Sequence, residues 1–176
     1  MKLDGKKVLI VIPHTQFRDE EFLEPKKILE EEGATVVVAS TSVRACRGIR
    51  GEVVQSQVAI AEAKPDDYSA VVLCGGSSVP DFFWNDKKLQ ELVAAMAAAG
   101  KVVAAICLST VVLAKAKLLA GKEATVYYLP AALEALKEGG AKYVKETLII
   151  HNNLILAEGP PDSQRFGQAI RAALAG

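Results

Sequence analysis

Apolar residues along this chain fall into short unbroken runs, separated by stretches with helical spacing. Lys7–Pro13 (KVLIVIP), Ala34–Ala39 (ATVVVA), Tyr68–Cys74 (YSAVVLC) and Val102–Ile106, which ends at Cys107, carry almost no polar alternation. Runs of this kind predict strands buried on both faces, as in a parallel sheet. Between them, Asp19–Glu32 sets Phe22, Ile28 and Leu29 on one side and stops at Gly33, which predicts a helix. Lys87–Ala99 (ended by Gly100), Ser109–Leu119, Pro130–Lys137 and Asp162–Leu174 predict further helices, the last capped by Asp162 or Ser163. Val53–Ile60 reads as a shorter strand. Ala124–Tyr128, Tyr143–Val144, Leu148–His151 and Leu154–Ala157 read as short strands, the last two joined at Asn152-Asn153. Neither a linker nor an internal repeat interrupts the pattern, so residues 1–176 are expected to form one domain. The alternation predicts an α/β fold, a three-layer α/β/α sandwich around a mostly parallel sheet.

Such sheets bind ligands at the carboxyl ends of their strands. Three segments fall at that edge: His14–Arg18, the turn Gly75-Gly76-Ser77-Ser78 after Cys74, and Cys107. Cys107 stands where a buried strand feeds directly into a helix, with small residues at Ala105 and Ser109 around it, the layout of a nucleophile elbow. A helix start beside the thiol favours thiolate over thiol. A buried structural cysteine has the same position, since free cysteine is often fully buried.

Composition narrows the chemistry. Lys plus Arg and Asp plus Glu both number 21, for a formal net charge of zero, which points away from nucleic acid or an anionic membrane as partner. The apolar stretch after the charged N-terminus is too short for a signal peptide core or a membrane span, so a cytoplasmic protein is expected. Three scattered cysteines and two histidines make neither a disulfide framework nor a zinc cluster. GxGxxG, P-loop and HExxH motifs are missing, so no cofactor or metal is expected.

The elbow Ala104-Ala105-Ile106-Cys107, the strand ending in Gly75-Gly76, the acidic helix start leading to Pro25, and the tail Ile155-Leu156-Ala157-Glu158-Gly159-Pro160 together resemble the ThiJ/PfpI superfamily over nearly the whole chain. That superfamily has a flavodoxin-like, class I glutamine amidotransferase-like fold, and it includes intracellular proteases, glyoxalase-type chaperones and deglycases. The resemblance implies that Cys107 is the reactive cysteine and that Glu21, four residues before Pro25, hydrogen-bonds its sulfur. Without the resemblance, Glu20 and Glu21 read as acids favoured in a helix's first turn. The backbone N–H groups of Gly75, Gly76 and Leu108 are expected to hold an oxyanion. Tyr127 matches a pocket-lining position, and Ser109 is placed in the pocket beside it.

The chain departs from the usual family elbow, Ala-Ile-Cys-His-Gly-Pro, in reading Ala105-Ile106-Cys107-Leu108-Ser109-Thr110. Leu108 cannot accept a proton, which removes a Cys–His pair at this position. Arg18 stands where many members carry an acid; it is read as an anion binder or a residue that lowers the thiol's pKa, or else as a solvated helix-start arginine. His14 is the candidate substitute base, and His151 is read as structural or surface. Cys46, between Arg44 and Arg47, is expected to be a reactive thiol without a role, while Cys74 is considered as a redox partner of Cys107. The functional expectation is a glyoxalase- or deglycase-like hydrolase of small carbonyl or acyl compounds. A redox-sensing stress protein with an oxidisable Cys107 and a catalytically inactive relative are the alternatives. Relatives imply a homodimer or higher homo-oligomer, with Val79–Trp84 (VPDFFW) as an interface patch or a lid over the crevice.

Overall fold

The computed structural model describes all 176 residues. Strands β1 (Lys7–Val11), β2 (Thr15–Phe17), β3 (Thr35–Ser40), β4 (Ala45–Gly48), β5 (Val53–Gln55), β6 (Val58–Ala59), β7 (Ala70–Leu73), β8 (Val102–Ile106), β9 (Glu123–Ala124), β10 (Lys142–Tyr143), β11 (Leu148–His151) and β12 (Leu154–Ala157) form three sheets. The helices are α1 (Asp19–Glu31), α2 (Val79–Phe82), α3 (Lys87–Ala98), α4 (Thr110–Lys115), α5 (Pro130–Glu138) and α6 (Ser163–Ala175). The central sheet has the order β11-β12-β8-β7-β1-β3-β6, and all its pairs are parallel except β11 with β12. The middle strands β1, β7 and β8 are the continuous apolar runs, and almost every residue in them is buried, as a sheet covered on both faces requires. The expected α/β sandwich with a mostly parallel sheet is the architecture found.

Three differences from the pattern reading have local causes. The Val53–Ile60 run divides: β5 pairs antiparallel with β4, while β6 joins the central sheet beside β3. The helix expected to reach Leu119 stops at Lys115, because Lys117 takes a left-handed conformation (φ 67°). Its N–H donates to the Ala114 carbonyl and that of Leu118 to Leu113, closing a Schellman motif without glycine. Asp162 occupies the N-cap of α6, but its side chain makes no cap bond, and the Ser163 hydroxyl donates instead to the Pro160 carbonyl.

A second sheet, β2-β4-β5, lies over the carboxyl edge of the first. Asp19, at the start of α1, holds it there. Its Oδ1 accepts from Arg50 N–H at 2.9 Å and its Oδ2 from Glu52 N–H at 3.0 Å, which ties the β4–β5 turn to the helix. On the opposite side, α1 lies against α6 at Gly167, where a Cβ would come within 2.8 Å of Ile28 Cδ1 and 3.0 Å of the Pro25 backbone. No helix is long and apolar enough to cross a membrane.

Candidate active site

At the end of β8 the chain turns through Cys107 with φ 65°, a left-handed conformation in a non-glycine residue. This conformation disfavours a Cβ-bearing residue by about 1–2 kcal/mol. It lifts the thiol out of the strand toward the cleft. Trp84 Nε1–H donates to the Leu108 carbonyl at 2.9 Å, and the buried Ser109 hydroxyl donates to the Cys74 carbonyl at 2.6 Å. These bonds fasten the turn to α2 on one side and to β7 on the other. Ser109 is therefore a tether between strands, not the pocket residue expected.

Glu21 approaches from α1. Its Oε1 accepts the Gly75 N–H at 2.7 Å, its carboxyl lies beside the Cys107 side chain, and its Oε2 is buried without a hydrogen-bond partner. The position four residues before a proline has a physical reason. Pro25 lies inside α1 and has no N–H for the carbonyl of Glu21. The Cys74 thiol donates to that carbonyl at 3.3 Å instead. Burial, then the charge of Glu21, raises the Cys74 pKa well above its ordinary value, so it stays a protonated donor. Cys74 thus fixes the backbone of Glu21 rather than pairing with Cys107; all three cysteines are free.

The Gly75 N–H is spent on Glu21 rather than free for the oxyanion expected of it, while the N–H groups of Leu108 and Gly76 lie by the Cys107 sulfur and favour its charged form. Only glycine fits at Gly75: a Cβ there would stand 2.5 Å from both Cys107 Cβ and Glu21 Oε1. Gly76, at φ 142°, would drive a Cβ into the Gln16 carbonyl.

Burial pushes the Glu21 carboxyl up to about 8, outweighing the opposing hydrogen bonds from Gly75 and Cys107. Burial, together with a charged Glu21, also raises the Cys107 thiol, while the N–H groups of Leu108 and Gly76 lower it. The expectation of a thiolate stabilised by its helix is thus corrected: α4 is short, and the sulfur is enclosed. The charge of each group raises or lowers the cost of charging the other. When Glu21 is protonated, its repulsion of a thiolate is gone and the carboxyl can donate toward sulfur.

The cleft above the sulfur is lined by Arg18, Ile49, Gly76, Ser77, Cys107, Leu108, Tyr127 and Pro160, and has a volume of about 170 Å³. Arg18 and Tyr127 are where the sequence places them. His14 is not: its ring packs on Phe82 with centroids 4.4 Å apart, its Nδ1 lies 3.4 Å from Thr41 Oγ1, and it does not line the cleft. Burial and then Arg44 lower its pKa. His151 Nε2 bonds the Glu123 carbonyl at 2.7 Å, a structural contact as expected. Cys46 is fully buried, so its flanking arginines do not make it accessible. Val79 and Phe83 are buried and Trp84 binds the elbow, so the Val79–Trp84 segment packs within the chain rather than offering an open apolar patch. Sequence reasoning missed Asp19 and Trp84. No group of three or more His, Cys, Asp or Glu side chains is arranged to hold a metal ion.

Comparison with known proteins gives the same picture. The DJ-1/PfpI family matches residues 6–173. An uncharacterised protein of Methanocaldococcus jannaschii is 43% identical over 172 residues, 98% of this chain and 84% of that protein. A protein of Pyrococcus abyssi named as a deglycase is 30% identical over 154 residues, 88% of this chain and 91% of that one. Among solved structures, a ThiJ/PfpI domain protein from Brachyspira murdochii superposes with a TM-score of 0.90 at 30% identity, covering 97% of this chain and 98% of that one. Drosophila melanogaster DJ-1beta superposes with a TM-score of 0.85 at 27% identity, covering 97% and 91%. With its parallel sheet, its left-handed cysteine after β8 and the match along nearly its full length, the chain belongs to the DJ-1/PfpI family.

Proposed function

We propose that this chain is a cysteine-dependent hydrolase of small reactive carbonyl compounds, of the glyoxalase or deglycase type. The observation that carries it is the pairing of Cys107, in its left-handed turn, with a buried Glu21 whose carboxyl titrates at about 8. A group with that pKa gives and takes protons near neutral pH. For a 2-oxoaldehyde such as methylglyoxal, the Cys107 sulfur adds to the aldehyde carbon and its proton passes through Glu21 to the carbonyl oxygen. The N–H groups of Gly76 and Leu108 hold that oxygen while it is negative. Delivering that proton returns Glu21 to its carboxylate form, which takes the proton from the aldehyde carbon and gives it to the neighbouring oxo carbon while the hydroxyl proton crosses to the oxo oxygen, giving a lactate thioester. Water then cleaves the thioester, releasing lactate and restoring the thiol. One methylglyoxal and one water give one lactic acid, so the atoms balance.

The cleft volume of about 170 Å³ falls below the ~300 Å³ at which drug-sized ligand sites begin, and Leu108 offers no base. Both features favour a small aldehyde over a peptide. The test is conversion of methylglyoxal to lactate by the purified protein: the reaction is expected to vanish in Cys107→Ala. Equal turnover in that variant overturns the proposal.

The same protonated Glu21 supports a second reading, a redox-sensing protein. Two equivalents of hydrogen peroxide would take the thiol to a sulfinate with release of two waters, and Glu21 would donate to the sulfinate oxygens. Mild peroxide is then expected to add two oxygens at Cys107, and Glu21→Leu to stop short of that state. Selective oxidation elsewhere rules this reading out.

A further inference from the structure

Arg18 is the only charged side chain that lines the cleft beside Cys107; the other walls are Ile49, Tyr127, Pro160, Leu108, Gly76 and Ser77. Its backbone is pinned within the site, its N–H donating to the Gly75 carbonyl at 2.9 Å and its carbonyl accepting from Glu21 N–H at 3.1 Å. Its guanidinium touches Glu20 through Nε at 3.3 Å and Nη2 at 3.2 Å, both on the same oxygen, Oε2. A guanidinium carries five N–H groups, so this contact leaves three for a ligand. Glu20 is also approached by Arg50 Nε at 3.9 Å from its other oxygen, so one carboxylate is shared between two guanidinium groups. Ser77 adds no negative group, since its hydroxyl donates to Gln16 Oε1 at 2.7 Å.

We propose that the cleft selects electrophiles carrying a carboxylate next to the reactive carbon, with Arg18 as the residue that binds it. The inference rests on Cys107 as the reacting group of the proposed function, and it names the substrate class that site prefers. A volume of about 170 Å³ holds about six water-sized groups at ~30 Å³ each. An aldehyde or acyl carbon, the carboxylate bonded to it and a small substituent fit within it. The carboxylate meets the guanidinium through charge-assisted, forked hydrogen bonds, while the N–H groups of Gly76 and Leu108 face the reacting end. A neutral aldehyde of the same size makes only the second set of contacts.

The test separates anion binding from turnover by using two reagents of nearly the same shape, iodoacetate and iodoacetamide. In both, the Cys107 sulfur displaces iodide, and the alkylated residue is counted by mass spectrometry. The ratio of the iodoacetate rate to the iodoacetamide rate at Cys107 is expected to exceed that of N-acetylcysteine at the same pH by about 10-fold or more. Arg18→Gln is expected to bring the ratio back to the small-thiol value, and Arg18→Lys to restore part of it. A wild-type ratio equal to that of the small thiol overturns the selectivity while leaving Cys107 a nucleophile, as does an Arg18→Gln ratio equal to wild type. A Cys107 inert to both reagents overturns the proposed function itself, and the selectivity with it.

Discussion

Asp19 and Glu21 stand two residues apart in the first turn of α1, both buried, and the structure treats them in opposite ways. Asp19 has each carboxylate oxygen matched to a backbone N–H, from Arg50 and Glu52. Glu21 has one oxygen matched, by Gly75, and the other left without a partner beside a thiol. A fully matched carboxylate holds a loop. A half-matched one keeps a proton near neutral pH, because burial penalises its charge more than its hydrogen bonds favour it. The contrast between the two carboxyl groups therefore lies in how many N–H groups meet them, since both are buried in the same helical turn.

The largest effect expected from this contrast is catalytic. Glu21→Gln keeps the shape but cannot carry a proton, and is expected to lower kcat/KM for methylglyoxal by about 10²–10⁴-fold, the range of general acid–base catalysis. Steady-state kinetics check this; a loss below 10-fold would make Glu21 as passive as its neighbour. For Asp19→Ala the loss is expected in stability, by about 2 kcal/mol, as the turn loses a charged acceptor. Urea unfolding measures it, and a stable but inactive variant would collapse the distinction. The pH dependence sharpens it further. Folding raises the Glu21 carboxyl to about 8, from an unfolded value of about 4.3. Between those values the folded chain holds a proton that the unfolded chain has released, so stability falls as pH rises, by up to about 1.4 kcal/mol per pH unit. Below that window the contribution is fully present. Glu21→Gln is expected to flatten this slope in urea unfolding at several pH values. Smallest is Cys74→Ala, expected to cost about 1 kcal/mol by leaving the Glu21 carbonyl without its donor and to shift the pH optimum of turnover; an unmoved optimum would make Cys74 merely structural.

Much of this was legible in the residues. Strands buried on both faces have no exposed side to show, so Val8–Val11, Ala70–Leu73 and Val102–Ile106 stand out as continuous apolar runs. Gly100 marks the end of α3 visibly, but Lys117 ends α4 in the same conformation with nothing in its identity to signal it. The strands β2 and β4 are three and four residues long and depend on a partner distant in the chain, so pattern alone does not reveal them. In the site, Cys107 stands out at the elbow, whereas Glu21 is singled out only by the family resemblance, which places it four residues before Pro25. His14 is simply turned away from the cleft onto Phe82, while the differences at Gly75 and Ser109 share one cause. A sequence places a group at an edge without showing whether its hydrogen-bonding capacity is already taken, and here Glu21 takes the Gly75 N–H while Cys74 takes the Ser109 hydroxyl.

The grip of Asp19 on the β4–β5 turn reaches beyond stability. Arg50 and Glu52 are exposed residues on a surface turn, yet their amide hydrogens are held by a buried carboxylate. Solvent hydrogen exchange at these two amides requires the turn to lift away from α1, and the lift carries with it Ile49, a wall of the cleft. The deuterium uptake of two surface amides thus becomes a stopwatch on how often the chamber over Cys107 stands open.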